Sequence, residues 1–187
     1  EDLGTIPQEL RTALKELGAF SYKLFFGERA ADGGYIAPRD YPAQAMAALT
    51  THDMPTLYGW WNGLDLELGG RLGLYTPAQV VRLKQERAEC RQRILDSLHG
   101  LNSVGAEVSR DGQQAELDEA LALGMQIHMC RGACALYSAQ LEDWVGERDP
   151  VNVPGTFREY PNWRRKLSRT LEDIFADPRV QKLTAAM

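Results

Sequence analysis

The constraint that narrows this chain most is a run of five apolar residues, Ala45-Met46-Ala47-Ala48-Leu49, followed at once by Thr50-Thr51-His52-Asp53. A short unbroken apolar run bounded by turn-forming residues reads as a strand buried on both faces. Its neighbours extend the pattern. Asp2 to Gly4 reads as a strand end or the loop behind one, and Leu10, Leu14 and Leu17 share a helix face between Pro7 and Gly18. Ser21 to Phe26 is short and aromatic, a second strand, and Gly27 to Pro42 reads as loop. Strand, helix, strand, loop, strand is the rhythm of a parallel α/β protein. Such proteins place chemistry at the C-terminal ends of their strands, where His52 and Asp53 fall.

Downstream, the Gly-rich stretch from Asn62 to Tyr75 reads as a connecting loop. Thr76-Pro77-Ala78-Gln79 combines an N-cap, a first-turn proline and a capping-box glutamine. A long helix burying Val80, Leu83, Cys90, Ile94 and Leu98 follows, with Gly100 as its stop. A second helix is expected over Glu116 to Met129, carrying Leu117, Leu121, Met125 and His128 near one face. Ala133 to Ser138 is the candidate last strand, the segment from Asn152 to Arg165 reads as irregular, and Asp177-Pro178 opens a final helix.

Composition narrows the class. With 187 residues, 44% hydrophobic and 25% charged, the chain can bury one sizeable core. A net charge of −5 argues against nucleic acid, whose phosphates need a basic surface. No apolar run is long enough to span a membrane, so no membrane partner is expected. Three cysteines at low density fit reduced thiols in the cytoplasm. His128, Cys130 and Cys134 lie close in sequence, but helix-face core positions explain them better than a metal site, which normally needs four ligands.

Taken alone, the residues leave alternatives open. Asp53 could cap the turn that follows it, and His52 could be a buried donor to backbone. Trp60 and Trp61 offer flat faces for a sugar, yet one of two adjacent aromatics usually points into the core. Glu1 could be a solvated carboxylate. Asn152, near Pro154 and Gly155, could bind hydroxyls or satisfy a tight turn, and the same choice holds for Gln140.

Three motifs in a fixed order add to this. Glu1-Asp2-Leu3-Gly4 resembles the acid/base motif of the amylomaltases, or 4-alpha-glucanotransferases. Thr51 to Trp61 (THDMPTLYGWW) resembles their second motif. Val151 to Thr156 (VNVPGT), followed by Tyr160 to Leu167 (YPNWRRKL), resembles their C-terminal motif, and SYKLFFGE and LGLYTP continue the similarity between them. The resemblance spans nearly the whole chain and is closest to the long bacterial type acting on maltodextrins.

It implies an α/β fold, the C-terminal half of a (β/α)8 TIM-type barrel with helical insertions, with residues 1–187 forming the later part of the catalytic barrel. It implies Glu1 as general acid/base and Asp53 as transition-state stabiliser. His52, Trp60, Gln140, Asn152 and Pro154 become substrate-binding residues, with no metal and no organic cofactor. The partner is an α-1,4-glucan or maltooligosaccharide. The family's nucleophilic Asp lies on an earlier strand absent from these residues, so the chain is expected to be a C-terminal piece that is inactive alone. Such a piece is expected either to self-associate through exposed barrel edges or to pack mainly as helices and give up barrel geometry, helix-rich as an isolated piece. Two other activities stay open, an α-1,4-glucan hydrolase and a non-catalytic glucan-binding module.

Overall fold

The computed structural model describes residues 7–187. Glu1, the expected acid/base, lies outside the described residues. The first element, α1 (Gln8–Glu16), starts after Pro7 and stops at Leu17, where Gly18 takes a left-handed φ of 77° and closes the end. Leu10, Leu14 and Leu17 form the expected stripe, but it is uncovered; Leu17 is 82% exposed, and no residue of α1 is buried. The helix periodicity is correct and the burial it implies is missing from this chain.

Among the described residues, three strands form one parallel sheet in the order β1-β2-β3. They are β1 (Ser21–Leu24), β2 (Ala45–Ala48) and β3 (Leu136–Ser138). Ala48 is in register with Leu24 on one side and Ser138 on the other, so the three strands end along one edge. β2 is central, and its small side chains are almost wholly buried, as the apolar run requires. Phe25 and Phe26 leave the strand for a 3-10 turn, and Phe25 stacks on Tyr35 from the crossing loop.

Between β2 and β3 lie four helices: α2 (Leu57–Trp61), α3 (Leu64–Arg71), α4 (Pro77–Gly100) and α5 (Glu119–Cys130). The loop expected over Asn62 to Tyr75 is corrected here, because α3 occupies most of it. The glycines were misleading because one serves packing: a Cβ on Gly69 would sit 2.4 Å from the Tyr75 ring. Leu66 is buried, and Asp65 and Glu67 place acidic charge at the helix N-terminus. The Thr76–Gln79 capping box of α4 is present on both sides, as the sequence indicates. Ile94, Leu95 and Leu98 form its buried end; Val80, Leu83 and Cys90 are only half-buried.

α5 begins later than the apolar pattern suggests. Asp118 caps it by accepting from Leu121 N at 2.8 Å, which leaves Leu117 outside the helix. A local cap outweighs one more apolar position. The core gathers Phe25, Leu57, Trp61, Leu95, Leu121 and Met125 around β2. The chain then passes through β3, α6 (Leu141–Val145), α7 (Leu171–Ala176) and α8 (Pro178–Ala186), the last capped by Asp177 as expected. No helix among the described residues is long and apolar enough to cross a membrane.

Candidate functional site

His52 and Asp53 sit on the loop that leaves the C-terminal end of β2. Thr50 is buried, and the loop turns through a Met54 N to Thr51 O bond of 3.0 Å. Thr56 then opens α2: its hydroxyl accepts from Gly59 N at 3.0 Å and donates to Glu147 O at 2.6 Å. Thr56, and not Asp53, therefore caps the helix. The imidazole of His52 is not a buried donor to backbone, since its side chain is more than half exposed and Nε2 lies 3.1 Å from Asp53 Oδ2.

The second wall comes from 99 residues further along the chain. Asn152 Nδ2 donates to Asp53 Oδ1 at 2.6 Å, so each carboxylate oxygen of Asp53 has its own polar partner. Pro154 and Asn152 line a cleft of about 240 Å³ together with Asp53, Asp65, Leu74 and Tyr75. Asn152 also borders a larger concavity of about 630 Å³, flanked by Phe157, Asn162 and Trp163.

The irregular segment that carries Asn152 is held by its own side chains. Asn162 Oδ1 accepts from Val153 N at 2.8 Å, and Asn162 Nδ2 donates to Thr156 O and Oγ1 at 3.1 and 2.9 Å. Trp163 N donates to Val151 O at 2.9 Å, and the Tyr160 hydroxyl donates to Pro150 O at 2.5 Å. Arg165 bonds that hydroxyl and pairs with Asp149 at 3.1 Å. The two sequence motifs at 151–156 and 160–167 are thus one folded unit, built without helix or strand. A segment that satisfies its backbone through side chains can be irregular and still fixed.

Behind the loop stands Asp143, on α6 and nearly fully buried. It accepts from the Thr50 hydroxyl at 2.5 Å and from Leu57 N at 2.6 Å. Burial raises its pKa from 3.8 to about 6 against the lowering effect of those two bonds, with Glu142 nearby adding to the rise. Asp143 holds both ends of the stretch that presents His52 and Asp53. The sequence alone does not single it out; its only signal is its place three residues after Gln140, at the end of a strand.

Trp60 is a correction. The sequence offers it as a sugar-stacking face, but the ring is only 8% exposed. Phe26 packs on it with centroids 4.3 Å apart, and the Arg87 guanidinium lies 4.2 Å from its centroid. Arg87 is itself held by Asp65 through two bonds of 2.8 and 3.0 Å. Trp61 is buried as well, with Nε1 donating to Ala115 O at 3.0 Å. Both rings belong to the core.

The indole beside the site is Trp163 instead. It is 62% exposed, and its ring centroid lies 5.3 Å from that of His52. Gln140 precedes α6 and leaves the same sheet edge as the His52–Asp53 loop, without a side-chain cap bond to the helix. The structure therefore brings His52, Asp53, Asn152 and Pro154 together, puts Gln140 on the same edge, and removes Trp60. The arrangement offers a carboxylate and an amide that line one cleft, an imidazole on the other oxygen of that carboxylate, and an aromatic face beside the imidazole. Such a set can bind several hydroxyls of one polyol and stabilise positive charge developing near Asp53.

Comparison with known proteins gives a consistent picture. Residues 1–172 match the family described as 4-alpha-glucanotransferase. A 4-alpha-glucanotransferase of Haemophilus influenzae is 34% identical over 178 residues, covering 95% of this chain and 25% of that protein. One from Mycobacterium tuberculosis is 32% identical over 198 residues, covering 100% of this chain and 26% of that protein. The crystal structure of amylomaltase from Corynebacterium glutamicum superposes with a TM-score of 0.87 at 27% identity, over 99% of this chain and 28% of that one. An amylomaltase from Streptococcus agalactiae in complex with acarbose shares the fold, with a TM-score of 0.57 at 18% identity. The chain spans about a quarter of the length of the curated relatives it matches.

Proposed function

The chain belongs to the 4-alpha-glucanotransferase family, matched over residues 1–172, and from that premise we propose that it supplies one wall of an active site moving α-1,4-glucan segments between maltodextrins or onto glucose. The observation that carries the reading is Asp53 held between His52 Nε2 and Asn152 Nδ2 at the C-terminal edge of a parallel sheet. In a retaining transfer, one carboxyl protonates the leaving oxygen and another traps the glucosyl unit, through a transition state with oxocarbenium character. Asp53 takes a third role. Fixed by two partners, its carboxylate meets the charge developing on the ring without having to reorganise, and His52 binds a hydroxyl of the same sugar.

Glu1 is the proposed acid that later serves as base, and the trapping carboxylate lies outside this sequence. Asn152 and Pro154 shape the cleft, and Gln140 adds a hydroxyl contact from the next strand end. Residues 1–187 correspond in this reading to the later half of a (β/α)8 barrel; the three-strand parallel sheet and the superposition on an amylomaltase support it. The edge of β3, unpaired among the described residues, and the exposed leucines of α1 are surfaces through which the isolated chain self-associates. Free thiols at Cys90, Cys130 and Cys134 suit a reducing, cytoplasmic setting.

The test uses the chain itself. Incubated with maltotriose it releases no glucose, because no trapping carboxylate is present. It nevertheless binds maltoheptaose, and Asn152→Ala weakens that binding. Turnover by the pure chain would overturn the assignment of the nucleophile elsewhere, and maltoheptaose binding unchanged in Asn152→Ala would remove the cleft from the site.

A further inference from the structure

Trp163 is an unusual residue in an unusual conformation. Its φ of 61° is left-handed, a region that β-carbon sterics make uncommon for any residue except glycine, and least expected for one this bulky. Backbone held there persists only where its surroundings over-determine it, and such positions gather at binding sites. Here the surroundings are visible. Trp163 N donates to Val151 O, Asn162 is bonded on three sides, and Arg164 N donates to Pro161 O at 3.2 Å. The result is an indole held out from the surface, 62% exposed, where burial would have been the default for so large an apolar side chain.

Its location gives that exposure a use. One neighbour is His52, tilted at 44° with centroids 5.3 Å apart, and His52 touches Asp53. On another side opens the concavity that Trp163 shares with Asn152, Asn162 and Phe157, itself 83% exposed. Asn152 also reaches Asp53, so polar groups that bind hydroxyls adjoin an apolar ring face. A pyranose has the matching anatomy, with C–H bonds across its faces and hydroxyls around its rim. The rings that sequence first suggests for this purpose, Trp60 and Trp61, are buried in the core.

We propose that Trp163 is the stacking platform for a glucosyl unit adjacent to the one held by Asp53 and His52, so that it determines how firmly a chain longer than one sugar is gripped. The proposal rests on the glucanotransferase reading. Trp163 contacts substrate without taking part in proton transfer. Its left-handed backbone keeps the ring aimed at the concavity before any sugar arrives, which lowers the ordering cost of binding.

Titration of the 187-residue chain with maltoheptaose, followed by tryptophan emission, tests this. Trp60 and Trp61 are buried and Trp144 is half-buried, so a response from an exposed indole reports on Trp163. The wild-type chain shows a saturable change in emission. Trp163→Ala loses that change and binds roughly tenfold more weakly by calorimetry, while Trp163→Phe, which keeps a ring face, recovers most of the affinity. Equal affinity in the wild type and Trp163→Ala overturns the platform and leaves the glucanotransferase reading standing. An alanine loss that phenylalanine does not restore also overturns it, since a ring face would then not be what matters. Absence of maltoheptaose binding by the wild-type chain overturns the platform and counts against the reading beneath it.

Discussion

Asp143 accepts a hydrogen bond of 2.5 Å from the hydroxyl of Thr50, across 93 residues of sequence, in a place closed to solvent. Together with the bond from Leu57 N it ties the end of β2 to the start of α2, with His52 and Asp53 between the two ties.

The burial of this carboxyl has a pH consequence. Its folded pKa is raised from 3.8 to about 6, so between those values the folded chain holds a proton that the unfolded chain has released. Stability contributed by this group is therefore greatest at low pH and falls as pH rises towards about 6. The full change is about 3 kcal/mol, since each tenfold difference in acidity between the folded and unfolded carboxyl is worth ~1.36 kcal/mol. Asp143→Asn keeps the shape and an acceptor for Leu57 N but does not ionise. Urea unfolding should show the variant gaining on the wild type by roughly 2 kcal/mol between pH 4.5 and pH 7. A difference that stays constant over that range would mean that Asp143 does not carry a buried charge.

Trp60 makes a prediction opposite in kind to that of a surface platform. Clasped by Phe26 and by Arg87, it should cost about 3–5 kcal/mol of stability when cut to alanine. Chemical denaturation measures it. A Trp60→Ala chain of native stability would show that the ring is not part of the core.

Gly59 lets α2 lie directly against the loop behind α6. A Cβ there would stand 2.7 Å from the carbonyl oxygen of Arg148, and backbone cannot step aside as a side chain can. Gly59→Ala should lose about 1–3 kcal/mol despite alanine's better helix propensity. A rise in melting temperature would mean that the two segments are less tightly apposed.

What could be read from the residues follows a physical line. β2, the α4 capping box and the Asp177 cap are local signals, carried by a few adjacent side chains, and the structure repeats them. The helix over Leu64–Arg71 was hidden because glycine signals a turn locally, whereas Gly69 answers to Tyr75 across a gap that no short window sees. Leu10, Leu14 and Leu17 announce a buried face correctly by period, but periodicity does not say what covers it. In the candidate site, the proximity of Asn152 to Asp53 was legible only through motif resemblance, since 99 residues separate them. Adjacent aromatics already suggest that one of Trp60 and Trp61 is core, but the burial of both, with Trp163 left exposed beside His52, was not legible. It depends on which indole Arg87 and Phe26 enclose, and on a backbone φ that sequence does not display.

Asp53 is proposed to stabilise the transition state of glucan transfer. Product analysis with maltotriose, using an enzyme of full family length that carries this segment and its Asp53→Asn form, addresses it directly. With Asp53 in this role, the wild type yields glucose and a ladder of longer dextrins, and the variant loses about a hundredfold or more of that activity with little change in substrate affinity. A ladder formed by Asp53→Asn at the wild-type rate would contradict it.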